Sequence, residues 1–227
     1  LTEPAVPQDE QTQAEGLRYL SRMARAALEW YVEFNDTAFP ILYRPAHETI
    51  KLGADNPDNL YQKAVIDGRH EYRLKGQRGS VDYLSMATSR GSYAENFTQV
   101  ETGFLDGDKL AIEADGTFEV MISEQQHSGN WLPVSKDSES LLIRQTYRHR
   151  ELEEPAEITI ERLDTYAVPA PLELMTAIAH FEKAIAFYRN TTRMFADWSR
   201  KISEQPNTLP LWDQAFCQRV GGDPNIL

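Results

Sequence analysis

Between Tyr61 and Leu163 the apolar residues fall on every second position, and this period constrains the fold more than any other feature of the chain. The runs Leu60 to Ile66, Tyr72 to Lys75, Tyr83 to Met86, Leu110 to Ile112, Phe118 to Ile122, Leu141 to Tyr147 and Ile158 to Leu163 read as short strands. Turn signals separate them at Asp67-Gly68, Gly76, Arg78-Gly79, Asp106-Gly107-Asp108, Asp115-Gly116 and Ser128-Gly129-Asn130. Nothing in this stretch alternates helix with strand, so the expectation is an antiparallel sandwich of jelly-roll type rather than a parallel sheet.

On both sides the period changes to three and four. Leu17, Leu20, Ala24, Ala27, Leu28, Tyr31 and Phe34 outline an amphipathic helix from Glu15 to about Asn35, preceded by a polar tail, Leu1 to Gln13. Pro40 and Pro45 follow, and each removes a donor the helix would need. The aromatic residues Trp30, Tyr31, Phe34, Phe39 and Tyr43 are expected in the core. After Val168-Pro169-Ala170-Pro171 a long helix is expected, with Leu174, Ile178, Phe181, Ile185, Tyr188, Thr192, Phe195, Ser199 and Ile202 as its buried seam. The fold class is therefore α+β: an antiparallel β-sandwich flanked by an N-terminal helix and a long C-terminal helix. Residues 1–51 form the tail and first helical segment, 52–167 the sandwich, and 168–227 a helical segment with a short helix from Leu211 to Val220. The stretch Gly53-Ala54-Asp55-Asn56-Pro57-Asp58-Asn59 returns in shortened form as Gly221-Gly222-Asp223-Pro224-Asn225. One repeat unit and the opening of a second are expected, in a chain that reads as a fragment of a longer one.

Composition narrows the partners. The net charge of −12 repels a phosphate backbone and an anionic bilayer, so neither nucleic acid nor membrane is an expected partner. The one cysteine, Cys217, cannot close an internal disulfide, and no apolar run approaches the length of a membrane span. The N-terminal tail lacks the basic end and apolar centre of a signal peptide. A cytoplasmic location is expected, with export open if an upstream signal has been removed. His47, His70, His127, His149 and His180 show no metal-ligand spacing, so no metal and no cofactor is expected.

Two clusters bear on function. Asp55, Asp58 and Asn59 bring three oxygen-bearing side chains into one tight turn, which can hold a cation or simply cap itself; the self-capping turn is the expectation. Gly129-Asn130-Trp131-Leu132-Pro133, with Arg144 and Tyr147 on a later strand, can grip an apolar or aromatic small molecule bearing an anionic group. Arg144 would pair the anion, Trp131 would stack, and Asn130 with Tyr147 would orient it. This binding module is the leading reading. A cofactor-independent lyase or hydrolase stays open, with Asp58 as base and Tyr61 or Tyr147 as acid. A structural, oligomer-forming sandwich is the third reading.

Asn56-Pro57-Asp58-Asn59-Leu60-Tyr61, Tyr72 to Gly79, the Gly-Asn-Trp-Leu-Pro motif, Ile143 to Tyr147 and the terminal Gly-Gly-Asp-Pro-Asn together resemble bacterial proteins carrying the domains of unknown function 1254 and 1214 (DUF1254/DUF1214). The resemblance runs from about Leu52 onward. It implies jelly-roll-like sandwiches combined with helices in a duplicated arrangement, the chain of relatives continuing past the second Gly-Asp-Pro-Asn. A second half of the same protein, or a homo-oligomer partner, is the expected neighbour. The resemblance brings no reaction and no catalytic residues.

Overall fold

The computed structural model describes residues 6–53, 55–95, 99–164, 168–204 and 206–208. Cys217, the short helix expected from Leu211 to Val220 and the second Gly-Asp-Pro-Asn lie outside the described residues. In chain order the elements are helix α1 (Glu10–Leu28), strands β1 (Asn59–Val65), β2 (Tyr72–Gln77), β3 (Tyr83–Arg90), β4 (Val100–Asp106), β5 (Thr117–Ser123), β6 (Trp131–Pro133), β7 (Ser140–Thr146) and β8 (Glu157–Arg162), and helix α2 (Leu174–Ser203).

The strands form a sandwich of two four-stranded sheets, ordered β1-β7-β3-β4 and β6-β5-β2-β8. Every pairing is antiparallel except that of β6 with β5. Tyr72, Leu74, Val120 and Ile122 from one sheet meet Leu84, Met86, Leu141 and Ile143 from the other, all almost completely buried. Their alternation along each strand is the period of two seen in the sequence. The buried amide of Gln145 ties the sheets together. Its Nε2 donates to the Gln62 side chain and to the Ala156 carbonyl, both at 3.0 Å, and its Oε1 accepts from the Ala156 N–H at 2.6 Å.

Leu110 to Ile112 is not a strand. It follows a 3-10 turn at Gly107–Lys109 and is held by a side chain from elsewhere, described below. Val100 to Asp106, strand β4, carries no clear alternation. β4 packs so closely on β6 that a Cβ at Gly103 would stand 1.9 Å from the Pro133 carbonyl oxygen, which also accepts from the Thr88 hydroxyl at 2.8 Å.

Both helices differ from the expected faces. α1 begins at Glu10, inside the expected tail, because Asp9 caps it by accepting from the Thr12 N–H at 2.9 Å. Its buried residues are Met23, Ala26 and Ala27, while Leu17, Ala24 and Leu28 stay exposed. A π-helical turn, Glu29–Glu33, follows and buries Trp30. On α2 the buried residues are Ala184, Phe187, Thr191 and Met194. The expected seam is rotated away from the core: Leu174 is 75%, Ile178 41%, Phe181 53% and Ile185 47% exposed. Close approach of the helices selects small residues, and Ala26, Ala27 and Ala184 supply them in the cluster where Phe187 meets Trp30 and Tyr31, with ring centroids 4.8 and 5.4 Å apart.

The helical layer meets the sandwich at β1. Tyr43 exchanges backbone hydrogen bonds of 2.8 and 2.9 Å with Lys63, and the Lys63 ammonium lies 5.8 Å from the centre of the Trp30 ring. Burial lowers the Lys63 pKa to about 8, against a weaker upward pull from Glu139.

Replacing Gln145 with leucine leaves the buried amide and carbonyl of Ala156 unpaired. The expected loss is about 3 kcal/mol in urea unfolding. Lys63 gives stability a slope with pH. Its value in the unfolded chain is 10.5, so as pH rises from about 8 the folded state sheds the proton first and gains stability. Above about pH 10 the slope reverses, because Tyr19 and Tyr31, held by burial at about 12 in the fold, ionise first in the unfolded chain. The urea midpoint is expected to rise between about pH 8 and 9.5, and to rise less in Lys63→Met.

Candidate ligand cleft

The side chains singled out in the sequence do not form one pocket. The Asn130 amide is committed: its Nδ2 donates to the carbonyls of Ala111 and Glu119 at 2.8 and 2.9 Å, and its Oδ1 accepts from the Ala111 N–H at 2.7 Å. Trp131 donates from Nε1 to the Ser123 hydroxyl and carbonyl at 3.1 and 3.2 Å. With Leu132 fully buried, the Gly-Asn-Trp-Leu-Pro motif is a clasp that fastens β6 and the 110–112 segment to β5. Arg144 belongs to the other sheet. It sits between Ile143 and Gln145, which point into the sandwich, and so lies on the outward face, opposite Tyr61 on β1 and Ser85 on β3. The cavity it lines, with Ser89, Gln99 and Glu101, holds about 20 Å³, room for a water and no more.

Asp58, Tyr61 and Tyr147 do share a corner, where β1 starts and β7 ends. Each has a task in the turn. The Asp58 carbonyl accepts from the Tyr147 N–H at 2.9 Å, and the Asp58 N–H donates to the Asn56 side chain at 2.9 Å. The Tyr61 hydroxyl accepts from the Asn56 N–H at 3.1 Å and from Asn59 Nδ2 at 3.0 Å. The Tyr147 ring carries the Arg150 guanidinium 4.4 Å from its centre. Asp55 accepts from the Leu52 N–H at 3.1 Å and pairs with Lys51 at 3.1 Å. Among the described residues no group of three His, Cys, Asp or Glu side chains converges in the manner of a metal site.

A larger cavity, about 370 Å³, opens between α1 and α2. Gly16, without a side chain, leaves the space; Tyr19 and Leu20 wall it from α1, and Tyr188, Thr192 and Ala196 from α2. Arg189 and Arg193, one helical turn apart, share the same rim. Neither forms an ion pair among the described residues. The neutral polar groups around them are occupied. Tyr19 donates to the Leu52 carbonyl at 2.7 Å, and its burial pushes its pKa up to about 12. Thr192 donates to the Tyr188 carbonyl at 2.7 Å, and Asn190 to the Ala94 carbonyl at 2.8 Å. Asp197, on the same wall, is paired with Arg200. The cleft thus offers an apolar wall and two guanidinium groups, a combination suited to an anion with an apolar body. The spacing of Arg189 and Arg193 was readable in the sequence. The facing gap at Gly16, which opens the cleft beside the pair, was not.

No family model and no curated protein matches the sequence. Among solved structures, an uncharacterized protein from Burkholderia cenocepacia is 49% identical to this chain, covers 96% of it and superposes with a TM-score of 0.92. The chain spans 61% of the length of that protein. A protein from Vibrio parahaemolyticus is 13% identical, with 66% of this chain and 43% of that one covered and a TM-score of 0.37; at that level it carries no argument.

If Asn130 is a clasp, Asn130→Ala frees the 110–112 segment and lowers stability by about 2 kcal/mol. Amide exchange at Ala111 should accelerate in the variant while exchange within β7 stays close to wild type.

Proposed function

We propose that this chain is a small-molecule binding module whose ligand occupies the α1–α2 cleft. The anionic group lies between Arg189 and Arg193, and the apolar body rests on Leu20, Tyr188 and Ala196. The observation that carries the reading is the pair of arginines without a carboxylate partner among the described residues, on the rim of a 370 Å³ cavity. In a chain of net charge −12 such a pair is a local exception, and field lines from it draw small anions while the rest of the surface repels larger polyanions. The resemblance to the DUF1254/DUF1214 proteins belongs to the same proposal; it rests on the motifs themselves and supplies no reaction.

Octanoate, a carboxylate with an apolar chain, is the probe for the test. Titration followed by NMR is expected to shift resonances of residues 16–20 and 188–196. Arg189→Gln with Arg193→Gln should weaken binding about tenfold or more, and added salt should weaken the wild-type complex. Equal affinity in the double variant, or shifts confined to the sheets, overturns the reading.

A further inference from the structure

Helix α2 begins well before the helical core does. Its first buried residue is Ala184, so its opening turns, Leu174 to Lys183, run outside the cluster shared with α1. Along them Leu174, Ile178, Phe181 and Ile185 are exposed, and steps of four, three and four residues set them in one stripe. At about 100° per residue the stripe lies roughly 130° around the helix from Ala184, Phe187, Thr191 and Met194, which face the core. Met175 on the same turns and Leu172 just ahead of them are exposed as well. No Asp, Glu, Lys or Arg occurs from Leu174 to Phe181, in a chain that is 26% charged. Single apolar residues on a surface need no explanation, whereas a continuous stripe without charge marks a contact face.

We propose that this stripe joins two copies of the chain, α2 packing on α2 in antiparallel sense about a two-fold axis between Ile178 and Phe181. In that register Ile178 of each copy meets Phe181 of the other, and Leu174 meets Ile185, as along a short coiled-coil seam. The spacing itself points to a second copy. Four, three and four reads the same from either end, so a two-fold rotation lays the stripe on itself; a different partner, or a further segment of the chain, imposes no such symmetry. The area suffices for a reversible pair. The exposed parts of Leu174, Met175, Ile178, Phe181 and Ile185 amount to about 600 Å² per copy, and pairing them buries on the order of 1,000 Å², the lower limit for a specific interface. Charge selects the direction. Antiparallel packing sets two bodies, each of net charge −12, at opposite ends of the contact, where parallel packing would hold them side by side. It also opposes the two helix dipoles. None of these residues lines the α1–α2 cleft, so pairing and ligand binding are separate events.

The test is sedimentation velocity of the intact chain from about 1 to about 200 µM. The wild type is expected to pass from monomer to dimer within that range, as a small contact implies. Phe181→Glu and Ile178→Lys alter exposed positions away from the core, so each should keep the wild-type unfolding midpoint while weakening the dimer about tenfold or more. Mixed in equal amounts, the two variants should recover a heterodimer, because the antiparallel register sets the introduced lysine against the introduced glutamate. A wild type that stays monomeric throughout, or a dimer that both variants leave intact, overturns the proposal. Two monomeric variants that fail to pair on mixing overturn the antiparallel register. A monomer with slow amide exchange from Leu174 to Ile185 also overturns the proposal, by assigning the stripe to another segment of the same chain.

Discussion

The β1-β7-β3-β4 sheet is buried on both faces, and most of the architecture follows from that. Leu84, Met86, Leu141 and Ile143 cover its inner face, and Ser85, Ser89 and Ser140 are nearly as inaccessible on the outer one. A sandwich alone would leave that outer face in water. Its small hydroxyl residues suit a surface approached closely by other parts of the chain; the Ser89 and Ser140 side chains bond each other at 2.9 Å, with Gln99 adding a bond to Ser89 at 2.6 Å. At the β1 edge the helical layer completes the cover, with Trp30, Tyr43 and Phe187 in a second apolar cluster separate from the sandwich core. The helices pack on each other through small residues, which brings Gly16 near the α2 arginines and shapes the cleft.

Polar groups inside this arrangement fall into two kinds. Gln145 and Asn130 meet their hydrogen-bonding needs within the fold, and each joins segments distant in sequence, while Tyr61 fastens the turn just before it. The side chains of Arg189, Arg193 and Lys63 have no carboxylate partner among the described residues. The first kind explains why conspicuous sequence motifs turn out to be fasteners. Of the second kind, the two arginines stand on the rim of an open cleft, whereas Lys63 is enclosed beside the buried Trp30 ring.

Much of the sandwich was legible because its strands alternate and its turns carry glycine; Gly116 and Gly129, at φ of +84° and +83°, sit where a side chain would be strained. β4 was not legible because Val100 to Asp106 has no two-residue rhythm, and its place is set by the contact of Gly103 with β6. The helices were legible as helices but only in part as faces: Ala27, Tyr31, Phe34 and Tyr188 reach the inner cluster as expected. On α2 the large residues Leu174, Ile178 and Phe181 outweigh Ala184 and Thr191 in any reading by apolar period, whereas close helix packing favours the smaller ones. Arg144 and Trp131 looked like partners along the chain. Strand order places them in different sheets, and only pairing across the whole sandwich decides that.

The π-helical turn at Glu29–Glu33 closes the first helix with a turn wider than the rest. Each residue of an α-helix advances the side-chain direction by about 100°, so one extra residue in a turn resets the phase of all that follows. The Phe34 N–H donates to the Glu29 carbonyl at 2.8 Å, five residues back, and absorbs that extra residue. Counted from Met23 at this advance, Ala26, Ala27 and Trp30 fall on one face, and Phe34 joins the same cluster at the close of the turn, its ring stacked on Tyr43 with centroids 5.1 Å apart. Removing one residue from this segment would turn Phe34 by about 100°, off the face it shares with Met23 and Trp30 and away from the Tyr43 ring it stacks on.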